Sequence, residues 1–171
     1  MIERTGITAV HGNPLTLLGR EVAVGEKAPD CAASDNDLKP VRLSSFAGKV
    51  VILSFVPSLD TPTCDMETRR FNIEAASLGS DVAIVTVSMD LPFAQKRWCG
   101  AAGVERVITL SDYKDRCMGE HFGVLIKENG LTARAVFVID KSGVVRYVQI
   151  VPDLSREPDY APIMAQARGL I

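Results

Sequence analysis

V-V-I-L-S-F-V-P-S-L-D-T-P-T-C-D-M-E-T-R-R-F, Val50 to Phe71, is the stretch whose reading decides the fold. Its opening residues, Val50 to Phe55, are apolar or small and rich in branched side chains. That pattern predicts a central strand of a sheet covered on both faces. Pro57 ends ladder pairing because it has no N–H. Thr61 or Thr63 then offers an oxygen to cap a helix. With Thr63 as the cap, Cys64 falls in the first helical turn. Backbone amides there have no intrahelical partner and point at its sulfur. A free thiol with a pKa of about 8.5 is only ~3% thiolate near neutrality. Helix amides and a nearby guanidinium are the means of raising that fraction.

At 171 residues the chain suits one well-cored domain and is short for two. Residues 1–171 are therefore read as a single domain. Net charge is −2, and no basic run or basic amphipathic stripe suggests a nucleic-acid or membrane surface. The start, M-I-E-R-T-G-I, lacks the basic segment and apolar run of a signal peptide. Cys31, Cys64, Cys99 and Cys117 lie far apart, with no C-x-x-C among them. Neither a zinc knuckle nor an ordinary dithiol motif is expected from that spacing. Reduced thiols of a cytoplasmic protein are the expectation, with any disulfide transient.

Outward from the central stretch, residues 1–21 read as an N-terminal extension. T-G-I-T-A-V and L-T-L-L-G flank H-G-N-P, a turn signal that predicts an antiparallel hairpin. Cys31 to Ser34 and Val41 to Leu43 are short strand candidates around Asn36-Asp37, followed by a helical turn closed at Gly48. The helix after Cys64 carries Met66, Ile73 and Leu78 as a mixed apolar pattern and ends at Gly79. Asp81 to Met89 is another buried strand. Pro92 opens a helix that runs from Phe93 to Cys99 and ends near Gly100 or Gly103. Val107 to Leu110 predicts a strand and Asp115 to Phe122 a helix stopped by Gly123. Thr132 to Asp140 and Val144 to Val151 pair around Lys141-Ser142-Gly143. Asp159 to Leu170 reads as a final helix. The order β-α-β-α-β, hairpin, α predicts an α/β protein with helices on both faces of a central sheet. Cys64 then sits beyond the C-terminal end of its strand, where open α/β sheets place ligands.

P-S-L-D-T-P-T-C carries Pro57, Thr61 and Cys64 at the spacing P-x-x-x-T-x-x-C. It resembles the peroxidatic motif of the peroxiredoxins. D-L-P-F-A-Q-K-R-W-C-G-A and A-R-A-V-F-V-I-D, further on, are similar to the thiol peroxidase subfamily, of the atypical two-cysteine type. The resemblance spans nearly the whole chain. It implies a thioredoxin-like, three-layer fold with a central mixed β-sheet and an added N-terminal β-hairpin. It also implies a thioredoxin-dependent peroxidase acting on hydrogen peroxide and organic hydroperoxides, with no metal or organic cofactor. Cys64 would be the peroxidatic cysteine, Thr61 a hydrogen-bonding partner of thiolate and peroxide, and Pro57 a shield for the sulfenate. Arg134 would favour the Cys64 thiolate and orient the peroxide. In an otherwise apolar run such a charge needs a partner. Cys99 would resolve the sulfenate as an intrachain disulfide, after local unwinding. The resemblance further implies a homodimer with its contact near the active-site loops.

Cys31 stands where the subfamily usually has an aromatic residue and reads as a core position; Cys117 has no counterpart. His11 and His121 are too far apart in sequence to suggest a metal site. Asp60 is expected to cap the turn beside Thr61, and Leu59, Pro62 and Phe93 to give an apolar rim. Phe93 and Trp98 suit core or interface. A thiol-based redox sensor or holdase is the other class that a reactive Cys64 would serve.

Overall fold

The computed structural model describes residues 1–171. Its chain begins with the antiparallel strands β1 (Glu3–Val10) and β2 (Asn13–Leu18). His11 and Gly12 both adopt positive φ in the turn between them. That is what a two-residue hairpin of matching twist needs. Then follow β3 (Ala32–Ser34), β4 (Pro40–Arg42) and a 3-10 turn over Leu43–Phe46. The expected strand is β5 (Val50–Phe55), buried at every position. Helix α1 (Pro62–Leu78), β6 (Val82–Ser88), α2 (Pro92–Ala102) and β7 (Val107–Ser111) complete two crossovers. The remaining elements are α3 (Cys117–His121), β8 (Leu125–Ile126), β9 (Ala135–Ile139), β10 (Val145–Ile150) and α4 (Tyr160–Gly169).

A seven-stranded sheet has the order β10-β9-β5-β6-β7-β3-β4. Strands β5, β6 and β7 are parallel, while β9 and β3 flank them antiparallel and β10 and β4 pair antiparallel with β9 and β3 in turn. The sheet is therefore mixed, as expected. The hairpin gains a third strand that the sequence pattern did not show, β8. At two residues it is too short to display a period.

Side-chain alternation sorts the core into two layers. Val51, Leu53 and Phe55 of β5 join Ala135, Phe137 and Ile139 of β9 on one face, with Leu15, Leu17, Met118 and Phe122 packed over them. Phe55, Phe122 and Phe137 form a ring cluster there, at centroid distances of 5.0 to 5.8 Å. Val50 and Ile52 of β5 and Val136 and Val138 of β9 face the other way, against Phe71 and Leu78 of α1 and Ile163, Met164 and Ala167 of α4. The layers are thus the small sheet with α3, the large sheet, and the remaining helices.

The apolar pattern expected for α1 is corrected. Met66 and Ile73 are exposed, and the buried face is Cys64, Glu67, Thr68, Phe71 and Leu78. Residues 64, 67, 68 and 71 fall on one face at the helical spacing, so the stripe carries a carboxylate in its middle. Helix α2 extends past Cys99 and ends at Gly103, whose left-handed φ of 65° closes it.

Helix α3 is shorter than expected because Asp112 fixes its start. The Asp112 carboxylate accepts from the Met118 and Gly119 amides at 3.2 and 2.8 Å. Burial pushes that carboxyl up to about 6, the two amides pull against it, and Glu120 and Asp115 add to the rise. Between an unfolded value of about 3.9 and that folded value, the folded chain holds a proton that the unfolded chain has lost. Asp112 therefore contributes stability below pH ~4 that is lost as the pH rises to ~6. The wild type's stability advantage over Asp112→Asn, from urea unfolding, should shrink by roughly 2–3 kcal/mol between pH 4 and pH 7. A difference that does not move with pH would contradict this.

Candidate active site

The turn after β5 is held by a carboxylate from the next crossover. Asp90, just beyond β6, accepts from Ser58 Oγ at 2.6 Å, from the Leu59 amide at 2.8 Å and from Ser88 Oγ at 2.7 Å. The expected role of Asp60 as a cap is corrected accordingly: Asp60 is exposed, and Asp90 does the holding. Val56, one residue into the turn, accepts from Thr132 Oγ1 at 2.7 Å. Thr61 is the N-cap residue and Pro62 the first helical position. Cys64 therefore lies third in the helix, still within the turn whose amides lack intrahelical partners. Thr61 Oγ1 donates to Ser58 O at 2.9 Å, and its hydroxyl makes no bond to the Cys64 sulfur.

The Cys64 side chain is fully buried beside Val56 and Leu59, with Trp98 leaning on them. Arg134 Nη2 lies 3.4 Å from its sulfur. This contact follows from strand parity. Arg134 precedes β9 by one residue and shares the register of Val136 and Val138, the face that carries α1. The guanidinium is 1% exposed, and its Nη1 donates to Glu67 Oε2 at 2.6 Å. Its Nε and Nη2 also donate to Leu154 O at 3.2 and 2.8 Å. Glu67 Oε1 accepts from Ser54 Oγ at 2.8 Å, and Ser54 shares the face of Ile52 on β5. One buried cation thus serves three acceptors, a carboxylate, a backbone carbonyl and a sulfur. Burial raises the Glu67 carboxyl, with Arg134 and then Ser54 drawing it back. Desolvation works against the Arg134 charge, but Glu67 and Cys64 outweigh it and hold the guanidinium protonated.

Arg69 and Arg70, the two other basic residues near Cys64, serve the surface. Arg69 pairs with Asp65 at 2.8 Å and lies 5.9 Å from the Trp98 ring; Arg70 pairs with Glu74 at 2.9 Å. Asp65 also accepts from Trp98 Nε1 at 2.9 Å, and Arg69 donates to Ala102 O at 3.2 Å. These contacts tie the start of α1 to the end of α2, which carries Cys99. All four cysteines are free. The Cys99 sulfur lies 3.5 Å from Thr109 Oγ1, on different partners from those of Cys64. Pro57 is half-buried. Leu59 is buried against Cys64, whereas Phe93 is 65% exposed, so the core alternative for Phe93 is ruled out.

On the other face of the sheet, Cys31 is buried, as expected, and Cys117 lies beside it. The Cys31 thiol points at Cys117 O, 3.3 Å away, and the two thiols are near enough for an intrachain disulfide. Burial, then Cys117 and the charges of Asp112 and Asp30, push the Cys31 thiol far up.

A thioredoxin-like fold in which a buried cysteine opens a helix against a guanidinium belongs to the peroxiredoxin class. Comparison with known proteins agrees. The family pattern described as Redoxin matches residues 23–163. The thiol peroxidase of Bacillus subtilis (strain 168) is 51% identical over 160 residues, covering 94% of this chain and 95% of its own. That of Streptococcus pneumoniae R6 is 48% identical over 159 residues, covering 93% and 97%. A peroxiredoxin-like protein from Aquifex aeolicus superposes with a TM-score of 0.92 at 43% identity, over 98% of both chains. A thiol peroxidase from Chromobacterium violaceum has the same fold, with a TM-score of 0.85 at 19% identity over 95% of each chain. The chain belongs to the redoxin family and, within it, to the thiol peroxidases, which are thiol-dependent peroxidase enzymes.

Removing Glu67 should leave the Arg134 charge buried with too few acceptors. Glu67→Ala should destabilise the fold by roughly 3–5 kcal/mol in urea unfolding, and Glu67→Gln by distinctly less. An alanine variant within about 1 kcal/mol of wild type would show that the pair does not hold Arg134 in place.

Proposed function

We propose that Cys64 is the peroxidatic cysteine of a thioredoxin-dependent hydroperoxide reductase. The observation that carries this reading is the Arg134 guanidinium, buried and 3.4 Å from the Cys64 sulfur. A fixed positive charge there stabilises the thiolate, which is the nucleophile. The thiolate attacks one oxygen of the O–O bond, the sulfur becomes a sulfenic acid, and water or an alcohol leaves after taking up a proton. Negative charge grows on the leaving oxygen as the bond breaks. Donors already aimed at that place stabilise the transition state more than the ground state. Arg134 supplies such donors without reorganising, because Glu67 and Leu154 O hold it. Thr61 Oγ1 gives its proton to Ser58 O, which leaves its lone pairs to accept from a peroxide O–H. Pro57 shields the sulfenate from water.

Cys99 is the resolving residue in this reading. Its thiolate attacks the sulfur of the Cys64 sulfenic acid, forming the disulfide as hydroxide leaves and takes up a proton to become water. Bonded cysteines need Cα atoms roughly 4.4 to 6.8 Å apart. Reaching that geometry breaks the Trp98–Asp65 and Arg69–Ala102 contacts and loosens the last turn of α2. Gly100 is exposed and Gly103 already left-handed there, which eases the change. A thioredoxin-type dithiol then reduces the exposed disulfide, in the reducing cytoplasm. Leu91 and Phe93, exposed at the start of α2 next to Asp90, support a homodimer contact near the site. Residues 1–171 act as a single folding unit in this account, since the hairpin shares the core of the large sheet. No helix is long and apolar enough to cross a membrane.

Peroxide consumption coupled to thioredoxin tests the assignment. Cys64→Ser should abolish turnover. Cys99→Ser should consume about one equivalent and stall, with the Cys64 sulfenate trappable by a dimedone-type probe. Turnover by Cys64→Ser would refute the reading. Wild type that oxidises once but is not recycled by thioredoxin would mark a redox sensor instead.

A further inference from the structure

The protein holds a second thiol cluster that takes no part in the Cys64 chemistry. Cys117 and His121 sit one turn apart on α3, and Cys31 approaches them from the segment before β3. One ligand atom from each of the three lies within 4.8 Å of the other two. Nothing in the linear spacing suggests this, because Cys31 is brought in by the packing of β3 against α3. We propose that Cys31, Cys117 and His121 form a binding site for one zinc ion, on the opposite face of the large sheet from Cys64.

The distance between Cys117 and His121 suits the metal. Tetrahedral zinc, with Zn–S of about 2.3 Å and Zn–N of about 2.0–2.1 Å, places sulfur and nitrogen about 3.6 Å apart. Cys117 Sγ and His121 Nδ1 are 3.6 Å apart. The chemistry of the donors suits it too, since two thiolates and a neutral imidazole balance a divalent cation. At present the Cys31 thiol and His121 Nδ1 both converge on Cys117 O, at 3.3 and 2.9 Å. Zinc would take the place of the two thiol protons, which are released to solution, while the imidazole keeps its proton on Nε2. Cys31 is buried, Cys117 half-buried and His121 exposed, which leaves the fourth coordination position on the solvent side. The ion would fasten α3 to the segment that leads into β3. That role is structural, set apart from peroxide chemistry by the thickness of the sheet.

Cobalt(II) is the probe, used on the full chain carrying Cys64→Ser and Cys99→Ser and reduced under argon. The remaining thiols are then only those of the proposed site. About one equivalent should bind per chain, with thiolate-to-cobalt charge-transfer absorption and the visible bands of a tetrahedral ion, and zinc should displace it. Adding Cys117→Ser should remove the charge-transfer band, and His121→Asn should weaken binding by at least about tenfold. Both positions reach the surface, and circular dichroism checks that the variants fold. Absence of the charge-transfer band in the reduced parent, or a band unchanged by Cys117→Ser, would overturn the site. So would a Cys31–Cys117 pair that forms a disulfide but takes up no cobalt once reduced.

Discussion

A buried guanidinium shared between a carboxylate and a sulfur is the constraint on which the rest of the structure depends. Taking Arg134 out of water is costly by several kcal/mol unless its donors are matched. The fold matches them from three directions: Glu67 on α1, Leu154 O from the loop after β10, and Cys64. Each partner is placed by a different rule. Strand parity turns Arg134 and Ser54 to the same face. Helical period puts Glu67 on the stripe between Cys64 and Phe71. The left-over acceptor in this arrangement is the sulfur, which completes the cation's coordination.

The loop between β5 and α1 must be rigid for that contact to persist. Asp90 provides this by accepting from Ser58 and Leu59 at once, while Thr132 fixes the first residue of the turn. The Cys64 end of α1 is in turn bound to α2 through Asp65 and Trp98. The resting enzyme is thus well ordered around a reduced thiol, and the same few contacts are those that disulfide formation would have to release. Their number is small and their exposure partial, which keeps that release within reach of local unwinding.

Much of this was legible in the residues. Val50 to Phe55 reads as a buried strand because every residue in it but Ser54 is apolar. Cys64 and Arg134 stood out because each breaks the expectation of its surroundings, a thiol in a polar turn and a charge in an apolar run. Glu67 did not stand out, since a glutamate in a helix reads as solvent-facing. Its signal was the spacing Cys64, Glu67, Phe71, a buried stripe that exposed Met66 and Ile73 concealed. Asp90 was hidden because its partners lie about thirty residues away in sequence. The approach of Cys31 to Cys117 was hidden for the same reason: contacts between distant segments leave no local period.

The most direct test of the account is the rate of the first oxidation of Cys64 when the guanidinium is removed. Trp98, the only tryptophan, packs against the cluster of Val56, Leu59 and Cys64 and supplies a rapid-mixing fluorescence signal. Arg134→Gln paired with Glu67→Gln removes the buried charges together and so protects the fold. The account predicts a fall of about a hundredfold or more in the second-order rate constant with hydroperoxide, equivalent to about 2.7 kcal/mol of lost transition-state stabilisation. A folded double variant that reacts within about threefold of wild type would contradict it.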